Sequence, residues 1–360
     1  MIPTMAALEA TAGGVMKSVP TGLARGDVSA GLYGLGFLGR WALPRLQQRG
    51  VRIAACYDAN ERLNGATVAG LPIRSAKELK TARPEFVIVT ARHAVGPVST
   101  MLGDLGLPHV SYDAWHVASD FAAFRDVHDR MLADERSKAV LRAVMMAMLT
   151  GDKAHCEAVY EKDQYFCLPR FRGPQREHYV DAGAFVGDSV ERFLWSHDGV
   201  VAKIYAFEPG ARQFAALKTR AARLQAEWAL DPDAIELVNA GLGAAGGAMR
   251  AASGNGQLTS YAVGAGEGDS VDIVSLDKFL GGRPVSLLKA DVEGMEMPLL
   301  QGAQATIRRD KPKLAICVYH GPADIAEIPS YLRSLVPQYR FALRHHAPQL
   351  METVLYGWVD

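Results

Sequence analysis

The residues best placed for chemistry lie at strand ends. In Glu177–Glu191, EHYVDAGAFVGDSVE, a short apolar strand at His178–Val180 runs into Asp181. A turn through Gly183, Ala184 and Gly187 follows, and a helix begins near Asp188 and Ser189. Strand, glycine turn and helix in that order form a nucleotide-binding corner. Glycine lets the backbone turn sharply and admits a ligand closely, because it carries no Cβ. The helix start adds free N–H groups and a positive dipole end. About 25 residues after Gly183, the strand Lys203–Phe207 ends on Glu208 and Pro209. That spacing sets a carboxylate where a ribose presents two hydroxyls. Asn239 closes the next strand, Ile235–Asn239.

A second group of polar residues falls on the same predicted sheet edge. Val285–Ala290 reads as a buried strand that ends at Asp291, with Glu293 and Gly294 in the turn and Glu296 opening the next helix. Strand alternation puts Lys289 and Asp291 on one face. Glu296 at a helix start reads as a dipole cap. His320 ends the strand Leu314–Tyr319. Arg344, His345 and His346 alternate at the end of a further strand and either line a pocket or face solvent.

These residues need a doubly wound α/β scaffold. From residue 177 onward strands alternate with helices at Ala211–Trp228 and Met297–Arg309, and a hairpin of Tyr339–Arg344 and Thr353–Trp358 ends the sheet. Residues 241–268 are rich in Gly and Ala and are expected in surface loops and short strands.

A smaller Rossmann-like α/β unit is expected over residues 28–115. Strand Val28–Tyr33 is followed by Gly34-Leu35-Gly36-Phe37-Leu38-Gly39, a complete GxGxxG, then a helix and the strand Val51–Tyr57, ending at Asp58. Gly34, Gly36, Gly39 and Asp58 have the spacing of a dinucleotide site, for NAD(P) or a nucleotide sugar. The same glycines also serve plain helix–strand packing. Phe86–Thr90 is a buried parallel strand and His109–Ser111 a short one. His93 and Tyr112 are candidates for hydride chemistry by residue type only. The segment Gly65–Leu79, with its G…GLPI spelling, resembles nucleotide-sugar-associated domains of carbohydrate-modifying proteins.

Residues 1–27 read as a helical or disordered lead-in, and 116–176 as a helical connector followed by a loop. In the connector Val140, Leu141, Val144, Met145, Met148 and Leu149 form one apolar stripe. At 360 residues the chain suggests two domains. The 39 basic and 39 acidic residues cancel, which argues against bulk nucleic-acid or anionic-membrane binding. Cys56, Cys156, Cys167 and Cys317 form no CxxC pair, so no zinc site is expected, and free thiols suit a cytoplasmic setting. No run of apolar residues is long enough to span a membrane.

The acid before the first glycine, and the acid at the end of the second strand, resemble the S-adenosylmethionine site of class I methyltransferases. VDAGAFVGDS, YAFEPG, NAGLG and VSLLKADVEGMEMPLLQGA, in that order, resemble the FkbM family of such enzymes over residues 177–360. The resemblance implies O-methylation of a hydroxyl on a sugar, glycan or natural-product acceptor. It implies cofactor contacts from Asp181, Gly183, Ala184, Gly187, Asp188, Ser189, Glu208, Pro209, Asn239 and Asp291. Methyl transfer to a hydroxyl needs proton removal, which a neutral imidazole or a carboxylate can perform. His320 is the expected base, helped by Asp291 or Glu293; Mg2+ held by the two acids is the alternative. An NAD(P)-dependent oxidoreductase, or a nucleotide sensor built on the GxGxxG domain, is the competing function, and a homo-oligomer is compatible with either.

Overall fold

The computed structural model describes residues 2–253, 261–263 and 270–360. Three sheets organise it. The first contains β1 (Ser29–Tyr33), β2 (Arg52–Asp58), β3 (Thr67–Val68), β4 (Leu71–Ser75), β5 (Phe86–Val89) and β6 (His109–Ser111), in the order β3-β4-β2-β1-β5-β6. Apart from the β3–β4 pair its strands run parallel. β5 reads FVIV and is buried along its whole length, as a parallel strand covered on both faces must be.

The large sheet is built from β7 (Glu177–Ala182), β8 (Val201–Phe207) and β9 (Ile235–Val238), and later from β14 (Leu287–Ala290), β15 (Lys313–Cys317), β16 (Arg340–His345) and β17 (Thr353–Trp358). Its order is β16-β17-β15-β14-β7-β8-β9, parallel except around β17. The strand order reverses between β14 and β7, so the carboxyl ends of these two strands open a crevice. The expected doubly wound sheet with a terminal hairpin is present. β10 (Gly241–Leu242), β11 (Gly247–Ser253), β12 (Tyr261–Val263) and β13 (Ser270–Val274) form a small third sheet beside it. The remainder of the Gly/Ala-rich segment, 254–260 and 264–269, lies outside the described residues.

Two expectations change. The stretch expected as a connector is a layer of the second core. Val140, Leu141, Val144, Met145 and Met148 of the helix Glu135–Thr150 are buried in one cluster with Val180, Leu288, Leu314 and Phe341 of the large sheet. Leu8 and Ala12 of the lead-in helix Met5–Ser18 join the same cluster. Asp134 caps the long helix by accepting from Ser137 N at 2.7 Å, and Ser137 Oγ accepts from Leu343 N of β16 at 2.9 Å. The amphipathic stripe therefore closes an exposed sheet face. The helix expected at Met297–Arg309 is two, Glu296–Gln301 and Gln304–Asp310. They part at Gly302, where a Cβ would lie 2.0 Å from the carbonyl oxygen of Gly243.

Candidate functional site

A cavity of about 330 Å³ opens at the carboxyl ends of β7, β8 and β14, within the size range of small-molecule sites. Gly183, Asp188 and Ser189 line it after β7, Glu208 and Pro209 after β8, and Asp291 and Glu293 after β14. The loops after β7 and β14 touch. At Gly183, with φ of +79°, a Cβ would sit 1.8 Å from the Asp291 carbonyl oxygen, so only glycine closes this corner.

Glu208 stands on the cavity wall and is buried. Its two oxygens accept from Phe185 N at 2.9 Å and Gly210 N at 2.8 Å. Burial pushes its pKa up to about 7, against the pull of those two N–H donors and of Lys289. A buried acid at the end of the second strand, short of donors for its remaining lone pairs, is suited to two vicinal hydroxyls.

Asp181, Ala184, Gly187 and Asn239 are placed differently from expectation: none lines the cavity. Asp181 is fully buried. Its register neighbour across β7–β14 is Lys289, and the two form an ion pair at 3.0 Å; Ser189 Oγ donates to the other oxygen at 2.5 Å. An acid matched this closely by a buried cation braces the loop after β7. Lys289 also donates to the Gly183 carbonyl at 2.7 Å, and is itself a cavity-lining residue. Burial would lower its pKa, but Asp181 and Asp291 outweigh that and hold it above the ordinary value. A Cβ at Gly187 would meet Leu217 at 2.9 Å, so this glycine serves helix packing. Asn239 donates to the carbonyls of Glu208 and Pro209 at 2.8 and 3.2 Å and fixes the turn that aims Glu208.

Asp291 is surrounded by donors. Tyr165 OH donates to one oxygen at 2.9 Å and Tyr319 OH to the other at 3.1 Å. Burial would raise its pKa, yet the charges of His320 and Lys289 and the two phenols hold it below the usual carboxylate value. Glu293 adopts φ of +53°, a left-handed conformation uncommon outside glycine, and burial raises its pKa.

His320 corrects the expectation of a neutral base. It is 3 % exposed, and does not line the cavity. Nδ1 lies 3.0 Å from Glu296, and Nε2 lies 3.5 Å from Glu293 and 3.6 Å from Asp291. Burial favours the neutral ring, but Glu296, Glu293 and Asp291 outweigh it and raise the pKa well above that of free histidine. An imidazolium cannot accept a proton. His320 faces the acids as their counter-ion, and one of its ring nitrogens, Asp291 and Glu296 also bring donor atoms within 4.8 Å of one another, a grouping that could hold a metal ion. Glu296 is more than a cap: it is buried, accepts from Val292 N at 2.9 Å and faces His320.

Arg344, His345 and His346 neither line the cavity nor face solvent. Arg344 pairs with Glu161 at 3.2 Å and Asp134 at 3.3 Å, His345 meets Thr353, and His346 Nε2 accepts from Tyr356 OH at 3.0 Å. In the first sheet, Asp58 accepts from Leu35 N of the glycine loop at 2.6 Å and from Asn60 N at 2.8 Å, one bond on each oxygen, the pattern Glu208 shows after β8. A Cβ at Gly39 would lie 1.9 Å from the Gly34 carbonyl oxygen and one at Gly34 would lie 2.9 Å from Ala91 N, while Gly36 has open space. No residue of this sheet lines the cavity.

The sequence reading missed Gln164, Tyr165, Tyr319, Met351 and Glu352, which wall the cavity on the side of Asp291. Glu352, in the β16–β17 turn, is bonded by Gln164 and has its pKa raised by burial and by the charge of Asp291. The aromatic-rich loop before β7 was the available signal for Tyr165.

Residues 181–341 match the model of a family described as the methyltransferase FkbM domain. Among solved structures, methyltransferase FkbM from Methylobacillus flagellatus KT is similar over 99% of this chain and 99% of its own, at 22% identity and a TM-score of 0.62, which shows a shared fold throughout. Looser, partial likenesses include an rRNA methylase from Streptococcus thermophilus (16% identity, 52% of this chain and 90% of that one, TM-score 0.33). Another is fibrillarin from Aeropyrum pernix, solved with natively bound S-adenosyl-L-methionine (12% identity, 51% and 66%, TM-score 0.32). No curated protein matches.

Proposed function

We propose, from the match of residues 181–341 to the methyltransferase FkbM domain, that this protein is an S-adenosylmethionine-dependent O-methyltransferase acting on a hydroxyl of a sugar, glycan or natural-product acceptor. One observation carries the reading. A single cavity has a hydroxyl-seeking acid, Glu208, on one wall and a pair of acids, Asp291 and Glu293, on another. The residues fit the cofactor: the wall carries Asp188, Glu208, Asp291, Glu293 and Glu352 against Arg192 and Lys289, an acidic balance that suits a sulfonium with one carboxylate and no phosphate. When bound, the cofactor supplies an electrophilic methyl group on a sulfonium.

The chain's own residues divide the remaining work. Glu208 receives the ribose hydroxyls, and Gly183, Asp188, Ser189 and Pro209 shape that end. Asp291, ionised and held by Tyr165 and Tyr319, orients the acceptor hydroxyl. Glu293, whose pKa lies above the ordinary carboxylate value, takes the hydroxyl proton, since a base works best with a pKa near the working pH. His320 offsets one negative charge of the acid cluster whichever of the acids holds the proton. Aligning the acceptor oxygen in this way contributes as much as proton removal.

The test is calorimetric titration of the full chain with S-adenosylmethionine and its demethylated product, followed by transfer of labelled methyl groups to a panel of neutral glycosides and hydroxylated natural products. Micromolar binding and alkali-stable label on oxygen support the reading. Absence of binding by both cofactor forms refutes it, and label on nitrogen or carbon refutes O-specificity.

A further inference from the structure

The edge of the first sheet where a Rossmann fold would receive its nucleotide is filled by the catalytic domain. The strand order of that sheet reverses between β1 and β5, and ligands of such folds sit outside the carboxyl ends of those strands. Here the β1 end continues into Gly36 and Phe37, the start of the helix Phe37–Gln48, and the β5 end into Ala91 and Arg92. Phe37 lies edge-on to His320, ring centroids 5.6 Å apart. Trp41, one turn later, covers Gly321 so closely that a Cβ there would fall 2.2 Å from its ring. Phe37 and Trp41 also cover Gly294, at 3.0 and 3.2 Å from where its Cβ would be.

Arg92 completes the contact. Its guanidinium grips Asp113 with two bonds of 2.7 Å and donates a third, at 2.6 Å, to the carbonyl oxygen of Tyr319. Arg92 is 16 % and Asp113 4 % exposed, so water does not compete strongly for these bonds. Tyr319 is the residue whose hydroxyl holds Asp291. Phe37 and Trp41 press on the Glu293–Gly294 turn, and Arg92 fixes the backbone from which Tyr319 reaches the site.

We infer that the N-terminal domain positions the methyltransferase site: its nucleotide-type edge is the docking surface for the Glu293–Gly294 turn and the Tyr319–Gly321 loop, and Arg92 is the positioning residue that sets Tyr319. The inference rests on Tyr319 and Glu293 being site residues, but its tests use no turnover, so either can fail without the other.

The experiment compares hydrogen–deuterium exchange of the full-length protein with Arg92→Met and Arg92→Lys variants. Losing one charge-assisted bond should speed exchange about tenfold in the peptide spanning 317–324 of the methionine variant. The peptide spanning 181–190 should be unchanged, and lysine should restore part of the protection. Loosening confined to residues 28–118, with 317–324 unchanged, overturns the inference, because Arg92 would then serve only its own domain. Should the methionine variant not fold, titration of the unmodified protein decides: NADH and NADPH should give no binding up to about 1 mM, the upper end of ordinary enzyme affinities. Micromolar binding of either overturns it, since the edge would have to be open.

Discussion

Replacing Glu208 by glutamine should move cofactor affinity and protein stability in different directions. In the free protein the pKa of Glu208 is pushed up to about 7, against about 4.3 for an unfolded glutamate. The native state therefore holds this proton more tightly than the unfolded state, and stability from this group falls as pH rises from about 4 to about 7, then levels. At about 1.4 kcal/mol per pKa unit, the ionised carboxylate costs on the order of 4 kcal/mol at pH 8. Glutamine does not ionise, so Glu208→Gln should gain about that much on the wild type between about pH 5 and about pH 8. Its amide nitrogen must face the N–H of Phe185 or Gly210, which offsets the gain by about 1–3 kcal/mol at every pH. Binding goes the other way. Hydroxyls donating to a charged acceptor are worth about 1.5–3 kcal/mol, so the variant should bind the demethylated cofactor about ten- to a hundredfold more weakly at pH 8. Wild-type affinity should weaken about tenfold per pH unit below about 7, as the carboxylate protonates, and the variant should show a flat profile. Calorimetry and thermal denaturation across this range measure both. A variant whose affinity and pH slope match the wild type refutes the assignment of Glu208.

Glu293→Gln should lower turnover by about 10²–10⁴-fold with cofactor affinity unchanged, measured by methyl transfer and calorimetry; unchanged turnover would move the proton to Glu352. His320→Gln should destabilise the fold by about 3–5 kcal/mol near neutral pH, because it leaves Glu296 and its neighbours without their buried counter-ion. Because the native pKa of His320 is raised, its contribution is complete below about pH 6.5, and the deficit should shrink by about 1.4 kcal/mol per unit above that; a deficit independent of pH in chemical denaturation would show that the ring is neutral. A chain beginning at Cys167 should be insoluble. It loses the large buried side chains Val140, Leu141, Val144, Met145, Met146, Met148 and Leu149 of the helix Glu135–Thr150, worth about 1.5–3 kcal/mol each, against a total stability of about 5–15 kcal/mol. A soluble fragment that still binds the cofactor would show that the helix is dispensable.

The fold was legible where local pattern and tertiary role agree. Buried runs such as FVIV and LLKA announce parallel strands, and acids at strand ends before glycine turns announce the ligand edge. The helix Glu135–Thr150 shows the limit. Its stripe of Val, Leu and Met reveals an apolar face but not the surface that covers it, and its partner, β16, lies some 200 residues away in the chain. The break at Gly302 is similar: its reason is the backbone of Gly243, invisible to any reading of the helix alone.

The site residues divide along the same line. Glu208 could be found because its role follows from one strand, one turn and its distance from Gly183. Asp181 has the same residue type and the same strand-end position, yet Lys289 on the neighbouring strand neutralises it, and that pairing depends on sheet register. His320 needed more still. Whether an imidazole is a base or a cation depends on the charges facing it, and these come from the turn after β14 and the helix beginning at Glu296. Two acids alone beside a histidine would suit a base with a modestly raised pKa. The third, Glu296, is itself buried and touches Nδ1, so deprotonating the ring would leave a buried carboxylate without its counter-ion. In the proposed reaction Glu296 therefore bears on the choice of base, and the role is proposed for Glu293, an acid that the cavity reaches and burial has made more basic.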